Sequence, residues 1–212
     1  MPDLPISQLP EIITGISQSS EFVIVQNGVT SKIKESTLNP FPKNYGFFSQ
    51  TSDSPIISGT TTESTIIGNG IGTLVVPPNS FKVGDSFRVA MGGLLSSRNN
   101  DTLRIRIKSG SVILGDSGNQ ILSSSINDVF KLSVDFTIRS LGGPGVGSLI
   151  SVGVFQTTKQ SNNTPAGFAF NTVNSTTFDT TITNVLDITA EFSSSNSLNS
   201  IYTDVFVLNK IY

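Results

Sequence analysis

The chain contains no cysteine, no histidine and no tryptophan. Without cysteine there is neither a disulfide framework nor a thiolate metal site. Without histidine the commonest metal ligand and the commonest acid–base group at neutral pH are missing. Without tryptophan the side chain that most often stacks on sugars or bases is missing too. Charge is also scarce: charged residues are 13% of the 212, and 13 Lys and Arg against 15 Asp and Glu leave a net charge of -2. The cations form no basic stripe, so nucleic acid is not an expected partner. No apolar run approaches the ~20 residues of a membrane span, and Met1-Pro-Asp-Leu-Pro5 lacks the basic start and apolar stretch of a signal peptide. Neither membrane insertion nor export by the general route is expected.

What the chain has in excess is Ser and Thr, roughly a quarter of all residues and well above ordinary globular usage. A chain of this length buries about 70% of its unfolded surface, enough for one good-sized domain with a small appendage. The organisation expected is an arm and hairpin over 1–42, a connector over 43–60 and a β-sandwich over 61–212. In the arm, Leu4, Ile6, Leu9, Ile12, Ile13 and Ile16 are spaced between Pro2, Pro5, Pro10 and Gly15. Those breakers forbid a long helix and leave an extended segment studded with apolar side chains. It either packs along its own domain or docks on another subunit.

Next, Glu21-Phe-Val-Ile-Val-Gln26 and Val29-Thr-Ser-Lys-Ile-Lys34 flank Asn27-Gly28, the pairing that a two-residue hairpin turn with φ > 0 at both central positions requires. Phe22 and Ile24 belong to this hairpin and join the arm as candidate interaction residues. A lone hairpin is marginal in water, so it needs a partner surface or sister copies of itself.

From residue 61 onward, strands are expected over 61–67, 72–76, 86–95, 103–108, 111–117, 129–139, 149–156, 186–192 and 202–208. The clearest is Leu103-Arg-Ile-Arg-Ile-Lys108, with three apolar residues on one face and Arg104, Arg106 and Lys108 on the other. Three like charges in a row suit a solvated or partner-facing surface. Short alternating strands with turn residues between them predict an all-β fold, an antiparallel jelly-roll-like β-sandwich preceded by the extended arm and hairpin.

Few residues promise chemistry. The glycines of Leu141-Gly-Gly-Pro-Gly-Val-Gly147 lead into a strand and lack the Lys-Ser/Thr and helix of a phosphate loop, so a hairpin loop is expected. Asp85, Asp101, Asp116, Asp128, Asp135 and Asp179 could in principle supply a glycosidase pair, yet most sit in turn contexts where Asp hydrogen-bonds the backbone. Asn99-Asn-Asp101 and Asp116-Ser-Gly-Asn119 lack the spacing of a calcium loop. No catalytic residue, metal site or cofactor is expected.

The segments Val75-Val-Pro-Pro-Asn-Ser-Phe-Lys-Val-Gly-Asp-Ser-Phe87, Asn99-Asn-Asp-Thr-Leu-Arg-Ile-Arg-Ile-Lys-Ser-Gly110, Phe178-Asp-Thr-Thr-Ile182, Leu186-Asp-Ile-Thr-Ala190 and Leu208-Asn-Lys-Ile-Tyr212 together resemble a β-sandwich module of virion structural proteins in tailed phages and large algal DNA viruses. Ile6-Ser-Gln-Leu-Pro10, the hairpin and Glu35-Ser-Thr-Leu38 are similar to the leader that opens many phage appendage proteins. The resemblance implies a non-enzymatic viral structural protein on the particle surface, commonly a trimer, with an N-terminal anchor and an outward knob. Absence of a repeated shaft favours a capsid decoration or cement protein or a small head fibre, whose partner is the major capsid protein or another virion component. The alternative is a host-glycan-binding module of a virion appendage, in which Tyr45, Tyr202, Tyr212 or a phenylalanine would do the stacking.

Overall fold

The computed structural model describes residues 21–26, 29–34, 46–159 and 164–212. The chain divides into two compact units, Met1–Lys43 and Asn44–Tyr212. In the first, β1 (Glu21–Gln26) and β2 (Val29–Lys34) pair antiparallel. Gln26 lies opposite Val29, so two residues separate the strands, as the Asn-Gly pattern requires. In the ladder register Phe22 pairs with Ile33 and Ile24 with Ser31. Leu4, Ile6, Leu9, Ile12, Ile13 and Ile16 lie outside the described residues, as do Tyr45 and the segment 35–38.

The second unit is the antiparallel β-sandwich that the alternation calls for. Its early strands are short: β3 (Gly46–Gln50), β4 (Ile57–Ser58), β5 (Ser64–Thr65), β6 (Gly70–Gly72) and β7 (Val75–Val76). The long ones follow, β8 (Ser86–Ser97) and β9 (Thr102–Ser109), then β10 (Val112–Asp116), β11 (Gln120–Ile121) and β12 (Ser125–Ser140). The last four are β13 (Ser148–Lys159), β14 (Thr164–Asn174), β15 (Asn184–Phe192) and β16 (Ser200–Lys210). The larger sheet runs β14-β13-β12-β8-β16-β3-β6, with β4 also on β16. The smaller runs β10-β9-β15-β5, with β11 on β9 and β7 on β15. Among the described residues no helix is long and apolar enough to cross a membrane.

The residues read from sequence as a connector contribute β3 and β4, both paired to β16. Phe48 of β3 is buried and meets Phe206 edge-on, with centroids 5.7 Å apart. Period-two alternation explains the long strands: in β12, Phe130, Leu132, Val134, Phe136 and Ile138 are buried while Lys131, Ser133 and Arg139 are exposed. Leu103, Ile105 and Ile107 of β9 and Ile188, Ala190 and Phe192 of β15 close over them, so one core cluster draws on both sheets. β14 was not among the strands expected, because Thr164-Pro-Ala-Gly-Phe-Ala lacks alternation. It stands at the sheet edge, where Pro165 removes no ladder hydrogen bond that an inner strand would need.

β10 ties the two sheets together along one side. A bulge between Ile113 and Gly115 lets Ser151 Oγ donate to Leu114 O at 2.7 Å and Asn174 Nδ2 donate to Ile113 O at 2.8 Å. Gly93 serves a different close approach, where β16 bulges between Thr203 and Val205. A Cβ there would press into the carbonyl oxygen of Tyr202. Gly93→Ala is therefore expected to lower stability by ~1–3 kcal/mol through overpacking of the β8–β16 ladder, read as a lower urea midpoint with unchanged slope.

Candidate functional site

The strand of like charges is not a free cationic face, because acidic side chains cover it. Arg106 is 9% exposed, and its Nη1 lies 2.6 Å from Glu63 Oε2 and 2.7 Å from Glu191 Oε2. Lys108 Nζ lies 3.0 Å from Glu63 Oε1, and Arg104 Nε donates to Asp116 Oδ1 at 2.9 Å. The expectation is corrected because β15 and the segment before β5 bring acids over the cations, a pairing between residues far apart in sequence. Burial alone would raise the Glu63 carboxyl, but hydrogen bonds from Thr189 and Lys108 and the charges of Arg106 and Lys108 hold it below the ordinary range. Asp116 is likewise lowered, with burial opposing and Arg104 and the Gly118 N–H outweighing it.

Most of the aspartates singled out as turn residues have structural partners. Asp85 accepts from Lys82 N at 2.9 Å and pairs with Lys210. Asp135 pairs with Arg88 at 2.7 Å, and Asp179 accepts from Thr181 N at 2.8 Å. Asp101, 4% exposed, receives hydrogen bonds from Ser194 Oγ, Asn199 Nδ2 and Arg98 Nη2 at 2.6 to 2.8 Å. These bonds, that from Ser194 first, hold its carboxyl down at about 2. Asp128 differs, since its Oδ2 is buried without a hydrogen-bond partner among the described residues. No group of three or more acidic side chains among the described residues is placed to hold a metal ion. The glycine loop 141–147 connects β12 to β13 and is pinned to Thr180, whose N donates to Gly142 O at 3.0 Å and whose Oγ1 accepts from Gly142 N at 2.8 Å.

Open space for a ligand lies elsewhere, at the end of the sandwich formed by the β13–β14 hairpin and the 98–101 and 120–125 segments. A cleft of about 400 Å³ separates them, within the ~300–1,000 Å³ usual for ligand sites. Phe155 and Phe168 stack at 4.8 Å with planes 5° apart, and Phe130 continues the stack behind Phe155 at 5.1 Å. Phe130 and Phe155 are fully buried, whereas Phe168 is half-buried and lines the cleft with Thr157 and Thr158. Asn99, Asn100 and Ser123 line the opposite wall. Sequence reasoning met Asn99 and Asn100 only as turn residues and missed the hairpin half, which carries no motif. By contrast, the void between the two sheets is about 30 Å³ with apolar walls, too small for more than a water molecule.

The far wall of the cleft is held firmly. Asn100 N donates to Leu122 O at 3.0 Å, and Leu122 N donates to Asp101 O at 2.8 Å. Arg98 N donates to Asn199 Oδ1 at 2.9 Å. Asn100 takes φ = 69°, a left-handed conformation that Asn tolerates better than most residues. The Asp101 carboxylate thus organises the turn that presents Asn99 and Asn100.

Comparison with known proteins gives little. No family model and no curated protein matches the chain. One solved structure, the CBM2 module of the evolved Dit of Lactobacillus casei BL23 phage J-1, aligns over 90% of this chain and 80% of its own at 10% identity, with a TM-score of 0.28. A superposition that loose fixes neither fold nor ligand.

The lowered carboxyls set the acid response. Each binds protons more weakly folded than unfolded, so its contribution is full above the unfolded values near pH ~4 and is lost as pH falls through the folded value. For Asp101 that decline runs from about pH 4 down to about 2. Urea midpoints measured between pH 7 and pH 2 are expected to fall below about pH 4–5, and Asp101→Asn is expected to be less stable at pH 7 with a shallower acid decline. Glu63→Gln is expected to cost about 1–3 kcal/mol at pH 7 by leaving Arg106 and Lys108 undercompensated, measured by the same unfolding series.

Proposed function

We propose that the chain is a non-catalytic structural component of a virion, a capsid decoration, cement or head-fibre protein whose N-terminal unit attaches to the particle and whose sandwich projects. The observation that carries this reading is the division of the chain. Residues 44–212 close a core of their own, with five phenylalanines fully buried. The described part of residues 1–43 is one two-stranded ladder, too small to be stable in water by itself. Such a unit gains stability by packing on a capsid or base protein, or on sister copies in a homotrimer. The partnered carboxylates support a non-enzymatic role, because most of them are already committed to holding turns and cations.

A second reading has its own support. The cleft at the hairpin end, with no charged residue among its described lining, favours recognition of a host glycan by the projecting sandwich.

The test of the leading reading is removal of residues 1–43. The 44–212 fragment is expected to unfold cooperatively in urea, to run as a monomer in light scattering, and to fail to co-sediment with particles. The full chain is expected near three times 22.5 kDa. Attachment of the fragment at full-length levels would overturn the reading.

A further inference from the structure

We propose that the cleft between the β13–β14 hairpin and the 98–101 and 120–125 segments is a binding site for an uncharged, hydroxyl-rich saccharide, with a sugar ring lying against Phe168. The assignment rests on the glycan reading and gives it a place and a ligand class.

Charge is the first constraint. Among the described residues no Asp, Glu, Lys or Arg lines the cleft, and Arg98 and Asp101 at its border are paired with each other at 2.8 Å. An ionic ligand entering a space of about 400 Å³ would shed hydration with no opposite charge among the described lining residues to replace it. A sulfated, phosphorylated or sialylated ligand is therefore disfavoured, and so is a nucleic-acid backbone.

Hydrogen-bonding capacity is the second. Asn99, Asn100 and Ser123 line the cleft, and their side chains have no hydrogen-bond partner among the described residues. Amides and hydroxyls both donate and accept, so this wall matches a ligand whose own groups do the same. Sugar hydroxyls have that property.

The third is an apolar platform beside that polar wall. Phe168 is fixed by its stack on Phe155, and Pro165 and the exposed Ile121 extend the apolar part of the lining. A rigid ring with one exposed face costs little conformational entropy on binding and suits the C–H face of a pyranose. The described walls are braced as well: a Cβ at Gly167 would press into the Phe155 carbonyl, so the two strands of the hairpin wall approach closely there, and the hydrogen bonds to Asp101 hold the other wall.

The experiment is binding of the full chain to an array of neutral hexose and N-acetylhexosamine oligosaccharides printed beside sulfated and sialylated forms, followed by calorimetric titration of the best neutral ligand. Three variants are compared with wild type: Asn99→Ala/Ser123→Ala, which removes hydrogen-bonding groups from the wall facing the hairpin; Phe168→Leu, which keeps an apolar side chain but removes the ring; and Asn171→Ala, on the opposite face of β14. Unfolding midpoints establish that each variant is folded. Expected are neutral ligands bound, a loss of tenfold or more for both cleft variants, and no change for Asn171→Ala. Neutral binding that both cleft variants retain would overturn the site while leaving the glycan reading standing. Preference for acidic glycans would overturn the ligand class. No binding by wild type to any sugar would overturn the glycan reading and the site with it.

Discussion

Three phenylalanines carry the inner face of the larger sheet out to its edge. Phe130 on β12 and Phe155 on β13 are fully buried, and Phe168 on β14 covers Phe155 with nearly parallel planes. Stacked pairs of this kind add about 0.5–1.5 kcal/mol each beyond the area they bury. β14 has few other large apolar side chains, so these contacts and Phe170 over Gly153 hold it in register. The same stack positions the hairpin opposite the 98–101 turn and thereby defines the cleft. The core and the candidate site share one row of rings.

The electrostatic design runs in the same direction. Arg104, Arg106 and Lys108 are matched by Asp116, Glu63 and Glu191 on the outer face of the smaller sheet, and Arg88 by Asp135 on the larger. Cross-strand ion pairs exposed to water add little individually, but Arg106 is 9% exposed and receives two carboxylates. Local neutralisation leaves the outer face of the smaller sheet with its three strand cations paired.

The sequence made the strong strands readable and left the weak ones and the cleft hidden, for physical reasons. Leu103-Arg-Ile-Arg-Ile-Lys108 and Leu132-Ser-Val-Asp-Phe-Thr-Ile-Arg139 announce themselves because one face is apolar and the other polar, and they fall within β9 and β12. β14 has small residues and a proline where alternation would be sought, and its stability comes from β13, a tertiary effect that propensity does not carry. Glu63 could not be matched to Arg106 from sequence, since 43 positions separate them and the strand that joins them, β15, comes later still. The cleft draws on three separated segments, and only Asn99-Asn100 had a local signature, one that also means an ordinary turn.

β8 is flanked by β12 on one side and β16 on the other, and the two neighbours are made at very different times. Gly92 pairs with Lys131 and with Val205, so one ladder closes a loop of moderate length while the other spans more than half the sandwich. Long-range antiparallel pairing is slow because loop-closure entropy must be overcome before contacts form. Until β16 inserts, the edge of β8 shows unpaired backbone amides beside Val89 and Met91, the kind of template on which strands of other chains add. Nascent and refolding chains are therefore most prone to aggregate in that interval, and conditions that slow insertion of the final strand would favour intermolecular sheet over the native one.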